Sequence, residues 1–261
     1  MIRTTLLATA VLLAPAPLFA QVADHDDVEV IQAPESQAAG AKNPDLKAAT
    51  KAIVDQTNAF RAKEGRTLVR ANPKLTSAAE AFAAYMAKTG RFGHTADGSR
   101  PTARAVKQGY EYCIVAENIA YEFDSGGFAT DDLVAKFVAG WEKSPGHRRN
   151  MLDPDVTETG VAIAQSPTTG YCFAVQMFGR PKSLALRFRV HNESGKTATY
   201  RIGDKTYSLP PRYTRTHEQC RPTEVIFEQS AGNQKEQTFK PKNGERFSVT
   251  RDGVTHRLRK E

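Results

Sequence analysis

From Leu46 onward, apolar residues recur at helical spacing: Leu46, Ala49, Ile53 and Phe60 share one face until Gly65. Asn43 is placed to cap this helix, and Pro44 suits its first position. A second helix is predicted from Asn72-Pro73, carrying Leu75, Ala79, Phe82 and Met86 until Gly90. Its many alanines predict close packing against a neighbour. Pro101 to Gln108 fits a short helix, and Tyr112 to Tyr121 a buried strand. A third long helix starts at Thr130-Asp131-Asp132, with acids at its positive end. Leu133, Phe137 and Trp141 form its apolar face, and Ser144-Pro145-Gly146 is expected to end it. Two strands follow, Gly160 to Ala164 and Tyr171 to Gly179, joined by a turn at Pro167-Thr168-Thr169-Gly170. Interleaved helices and strands predict helices packed on a sheet, an α+β unit.

After Arg180-Pro181 the period changes from helical to alternating, as in Leu184-Ala185-Leu186-Arg187-Phe188-Arg189-Val190. Runs at 199–202, 224–227 and 246–249 repeat this pattern. Gly195, Gly203, Pro210-Pro211, Gly232-Asn233, Asn243-Gly244 and Asp252-Gly253 punctuate them. Six to eight short strands with regular turns predict a small all-β sandwich over residues 181–261. Residues 21–43, acidic and rich in Ala and Gln, show no apolar period and are expected to form a disordered leader.

Residues 1–20 have the composition of an export signal. Arg3 supplies the positive end, Leu6 to Leu13 an apolar core, and Leu18-Phe19-Ala20 a small-residue cleavage site. Pro15 and Pro17 disfavour a membrane-spanning helix there. The expected mature chain is secreted or periplasmic, with no transmembrane segment after cleavage. Three cysteines allow one disulfide, which export makes reasonable. Cys113 and Cys172 each follow a tyrosine at the start of a strand-like run, so they are the favoured pair. A bond from either to Cys220 stays open.

The net charge of +7 is unevenly placed. Residues 181–261 hold 17 Lys and Arg against 9 Asp and Glu, a surplus of 8, so the basicity belongs wholly to the all-β part. For an exported chain this favours an anionic cell-envelope surface as partner over nucleic acid.

Candidate chemistry centres on His94, Glu117 and His147. Each histidine follows a glycine and is expected on an exposed loop. Glu117 interrupts an apolar strand, where a carboxylate is costly without a partner. Two imidazoles and a carboxylate suit zinc or another divalent metal with one position open for water. With Glu117 as general base, such a site would support a metal-dependent hydrolase acting on cell-wall peptide or polysaccharide. No serine or cysteine sits in a nucleophile-elbow sequence, and no phosphate-binding glycine loop is present.

Several segments together resemble the CAP superfamily of cysteine-rich secretory proteins, antigen 5 and pathogenesis-related proteins, with its bacterial SCP-domain members. They are the helix Val54 to Gly65, Gly93-His94-Thr95, Glu117-Asn118-Ile119-Ala120, Gly140-Trp141, Ser144-Pro145-Gly146-His147-Arg148-Arg149-Asn150-Met151-Leu152 and Val175-Gln176-Met177-Phe178-Gly179. The resemblance implies an α-β-α sandwich over residues 44–180, with a cleft lined by two histidines and two acids. His94, Glu117 and His147 fall on three of these positions. The fourth departs from the pattern: Ser144 stands there, with Glu142 two residues earlier. The family's record implies binding of a lipid, small molecule or divalent metal more than a shared reaction.

Overall fold

The computed structural model describes residues 28–32, 41–227, 236–251 and 253–258. The expected export signal (1–20), most of the leader and the turn at Gly232-Asn233 lie outside the described residues.

Helix α1 (Leu46–Lys63) is capped by Asp45, whose side chain accepts from the Ala48 amide. The cap therefore falls two residues after Asn43, because Asp45 lies within reach of the free amides of the first turn. Helix α2 (Pro73–Thr89) starts and stops where its sequence signals predict. Asn72 accepts from the Lys74 and Leu75 amides, and Gly90 ends the helix at φ 68°. Helix α3 (Pro101–Lys107) is short. Helix α4 (Thr130–Lys143) stops as expected, but Ser144-Pro145 immediately opens a further helix, α5 (Pro145–Leu152). Proline ends one helix and suits the first position of the next, so a stop signal and a start signal coincide there.

A four-stranded sheet in the order β2-β5-β6-β4 forms the middle layer. Its strands are β2 (Arg70–Ala71), β4 (Tyr112–Glu122), β5 (Glu158–Gln165) and β6 (Cys172–Pro181). Side chains alternate across β4. Ile114, Ala116 and Ala120 join a core formed with α1, α4 and α5, while Val115, Ile119 and Tyr121 join one formed with α2. The result is the α-β-α sandwich that the resemblance implies. Gly160 permits a close approach of α2 to the sheet, since a Cβ there would collide with the α2 backbone at Leu75 and Thr76. Part of the expected leader is ordered after all. Glu29–Val30 (β1) pairs with Arg91–Phe92 (β3), and the Ile31 amide donates to the Gly90 carbonyl over 2.7 Å. Backbone pairing with a free edge supplies what the weak apolar pattern does not.

Among the described residues eight strands follow, in two four-stranded sheets. The first, in the order β10-β7-β13-β14, comprises β7 (Leu186–Asn192), β10 (Thr214–Gln219), β13 (Glu245–Thr250) and β14 (Gly253–Leu258). The second, in the order β12-β11-β8-β9, comprises β8 (Ala198–Ile202), β9 (Lys205–Leu209), β11 (Val225–Phe227) and β12 (Gln237–Phe239). Their shared core contains Phe188, Val190, Tyr200, Ile202, Phe227 and Phe247.

His217 lies in this core, 5% exposed, with its Nε2 2.7 Å from the Tyr200 hydroxyl. Burial, reinforced by nearby Arg215, pushes its pKa down to about 4 from 6.5. The neutral ring is favoured in the fold, so its contribution is complete above pH 6.5. It declines as pH falls toward 4, where only the unfolded chain takes up the proton. A loss of up to about 3 kcal/mol over that window is expected. Melting temperatures across it should fall for the parent chain and stay flatter for His217→Gln; equal slopes would remove His217 as the cause.

The two parts are joined covalently. Cys113 at the start of β4 is bonded to Cys220 just after β10, with Cα atoms 5.0 Å apart. The favoured Cys113–Cys172 pairing is therefore wrong. Antiparallel register sets Cys172 opposite Glu122, at the far end of β4 from Cys113. Nine residues of strand separate these ends by about 30 Å, against the roughly 7 Å that a disulfide can span. Cys172 is free and fully buried, and burial, with Glu122 nearby, pushes its thiol pKa up to about 12. Beside the disulfide, Arg221 grips Asp153 at 2.7 Å and Asp155 at 2.8 Å. Burial pushes the Asp153 carboxyl up, but the bonds from Arg221 and the Asp155 amide outweigh it and hold the group below its ordinary value.

Candidate functional site

Strand β4 carries Glu117 toward α2 and α3, and the sequence requirement for a partner is met there. Arg104 of α3 donates from one terminal nitrogen to both Glu117 carboxylate oxygens, each over 2.8 Å. Both side chains are almost wholly buried, at 6% and 1% exposure. The rest of the guanidinium is also engaged. The same nitrogen donates to the His94 carbonyl at 2.9 Å, and the other donates to Asp97 at 2.9 Å and to the Ser99 carbonyl at 2.8 Å. The planar cation lies 3.6 Å from the centroid of the Phe82 ring on α2.

His94 lies in the turn after β3, and its Nδ1 is 2.9 Å from Glu117 Oε1. A carboxylate at that distance favours the tautomer with the proton on Nδ1, which leaves Nε2 as an acceptor. The His94 side chain is 22% exposed, so it is where solvent reaches the network. His94, Glu117 and Arg104 thus form a buried ion pair that orients one accessible ring.

His147 is placed differently from expectation. It lies on α5 and is 3% exposed, because the glycine before it begins a helical turn and not a loop. Its carbonyl accepts from Asn118 Nδ2 at 3.2 Å, and Asn150 donates to the Glu117 carbonyl and to Asn118 Oδ1. These bonds hold α5 against β4 one residue beyond Glu117. Asn118 belongs to the opposite face of the strand from the Glu117 side chain, so His147 approaches from the α4–α5 layer. Ser144, 8% exposed, sits at the α4–α5 junction, and Glu142 is half-buried on the last turn of α4. Neither side chain hydrogen-bonds to the His94 network among the described residues.

The expected metal set is not assembled. Among the described residues, no group of three or more His, Cys, Asp or Glu side chains converges enough to hold a metal ion. Arg104 donates to both Glu117 oxygens, so a cation already offsets the charge of that carboxylate. The same contact leaves Glu117 poorly placed as a general base, which needs a lone pair facing water. Arg104, Asp97 and Ser99 were not foreseen. The one signal pointing to Arg104 was the need of a buried carboxylate for a cation, which carries no address along the chain.

Residues 54–178 match the family model of the cysteine-rich secretory protein family, CAP. The uncharacterized protein YkwD of Bacillus subtilis is 30% identical over 136 residues, 52% of this chain and 49% of that protein. The uncharacterized membrane protein YlbC of the same bacterium is 28% identical over 114 residues, 43% of this chain and 31% of that one. The chain therefore spans half or less of these curated relatives. Among solved structures, an outer surface protein from Borrelia burgdorferi is 21% identical with a TM-score of 0.47, covering 55% of this chain and 100% of its own. An extracellular protein containing an SCP domain from Bacillus anthracis is 24% identical with a TM-score of 0.45, covering 54% and 45%. The family match falls on the helix-and-sheet layers and ends before the β-sandwich begins: this chain carries a domain of the CAP, or cysteine-rich secretory protein, family.

Proposed function

We propose that this is an exported CAP-domain protein of the binding kind, in which His94 meets a small-molecule or lipid ligand and the basic β-sandwich contacts an anionic envelope surface. The observation that carries the reading is the pairing of an accessible His94 ring with the buried Glu117–Arg104 pair. That arrangement fixes a tautomer and offers one hydrogen-bond acceptor to a polar group of the ligand. Export is supported by the residue pattern of positions 1–20 and by a disulfide, which persists in oxidising compartments. Among the described residues no helix is long and apolar enough to cross a membrane.

The test is native mass spectrometry of the full chain with a lysophospholipid and, separately, with disaccharide-peptide fragments of cell wall. Retention of one probe is expected, weakened about tenfold or more in His94→Ala, the loss of one good hydrogen bond. The melting temperature should hardly change, since the ring stands at the open end of the network. Equal retention by the variant would remove this site from the account. Turnover of the fragments, lost in Glu117→Gln, would favour hydrolysis instead.

A further inference from the structure

The surplus of positive charge in residues 181–261 is not spread evenly over the sandwich. On the sheet β10-β7-β13-β14, Phe188, Val190, His217 and Phe247 point into the core. Alternation therefore turns Arg187, Arg189 and His191 of β7, Thr214, Thr216 and Glu218 of β10, and Arg246 of β13 to the outer face, Arg246 half-buried along its stem with its Nε covered. Register then sets Arg189 of β7 directly beside Arg246 of β13, with Thr216 of β10 on its other side. Neighbouring strands lie about 4.8 Å apart, and alternate residues along a strand about 7 Å. Arg187 and Arg189 thus alternate along β7, and Arg189 and Arg246 sit side by side across two strands.

The opposite sheet offers nothing comparable. Its outer positions include Arg201, paired there with Thr206 and Ile226, and the Arg201 guanidinium is engaged by Glu236 at 3.2 Å. On the arginine face the acids are few. Glu218 is shared by Lys182 at 3.5 Å and Arg187 at 3.8 Å, and Glu193 lies 3.7 Å from His191. Arg189 and Arg246 make no ion pair among the described residues, and Arg189 is exposed.

We infer that the outer face of the β10-β7-β13-β14 sheet docks on an anionic phospholipid bilayer, with Arg189 and Arg246 contacting phosphate headgroups. This rests on the proposed envelope role of the sandwich and names its partner and its residues. A guanidinium fork matches phosphate oxygens, and arginines on paired neighbouring strands suit headgroups spread over a surface. Exposed Tyr213 stands directly before β10, and a tyrosine ring suits the headgroup level. Among the described residues the face presents no large apolar side chain, so attachment is peripheral and electrostatic.

Co-sedimentation of the full chain with vesicles of phosphatidylcholine, with and without phosphatidylglycerol, tests the inference. Binding is expected only with phosphatidylglycerol, and added salt should release it. The double variant Arg189→Ala, Arg246→Ala should lower the partition coefficient about thirtyfold, at the usual contribution per basic residue near such a surface. Arg201→Ala should change it less than about twofold, since that side chain is already paired on the other sheet. If the double variant binds as tightly as the parent, this face is the wrong one, while the envelope role of the sandwich stands. Binding of the parent to soluble polyphosphate but not to vesicles would replace the bilayer with an anionic polymer. Binding to neither would overturn the envelope role itself.

Discussion

Arg104→Met is expected to destabilise the CAP domain by about 3–5 kcal/mol, the usual result of removing one partner from a buried ion pair. The substitution keeps an unbranched side chain over Phe82 but strips Glu117 of the donor that serves both its oxygens. It also frees the His94 carbonyl, Asp97 and the Ser99 carbonyl, each of which receives a bond from Arg104. Urea denaturation measures the loss. A second variant distinguishes lost charge pairing from lost packing. With Glu117→Gln added, the uncompensated buried charge disappears, so the double variant should be less destabilised than the sum of the two single changes. Additive effects, or a cost below about 1 kcal/mol for Arg104→Met, would show that the guanidinium does not hold the site together. His94 supplies a readout specific to the site. In the parent, the imidazole nitrogen resonances should report a proton on Nδ1, and in Arg104→Met that preference should weaken as Glu117 moves.

Cys220→Ser should cost about 3–5 kcal/mol, because the bond to Cys113 closes a segment of 107 residues whose freedom in the unfolded chain is otherwise large. The bond ties β4 of the CAP domain to the end of β10, so its loss should also loosen the junction between the two parts. Limited proteolysis should then cut the short connection between β6 and β7 that the parent protects. The Arg221 contacts with Asp153 and Asp155 remain in the variant and should keep the parts associated near neutral pH. Acid should weaken them. The depressed Asp153 carboxyl stabilises the fold above its ordinary pKa, and that contribution is lost as pH falls through its lower folded value. Cleavage should therefore speed up further in acid. A Cys113–Cys172 peptide in a non-reducing map would contradict the strand register, and an unaltered melting temperature for Cys220→Ser would contradict the stabilising role.

The sequence by itself determined the elements whose signals are local. Asn72-Pro73 and Gly90 bound α2 because capping and left-handed termination need only neighbouring residues. The change from helical to alternating period after Pro181 marked the β-sandwich for the same reason. Leu133, Phe137 and Trp141 were identifiable as a core face from spacing alone. Ser144-Pro145 showed the limit of local signals, since one dipeptide served both as a stop and as a start.

Tertiary structure alone decided which distant groups meet. Cys113 and Cys172 share a local context, yet antiparallel pairing sends them to opposite ends of one ladder and brings Cys220 from another sheet to Cys113. The carboxylate of Glu117 announced that it required a counter-charge, and the packing of α3 on the sheet selected Arg104 over every other cation. That selection gave Glu117 a buried ion pair that supports His94. Alternation assigned each arginine of the sandwich to a side, but only strand register set Arg189 beside Arg246. Local propensity acts over a few residues, whereas these pairings follow from chain reversals and sheet order, which no short window of sequence contains.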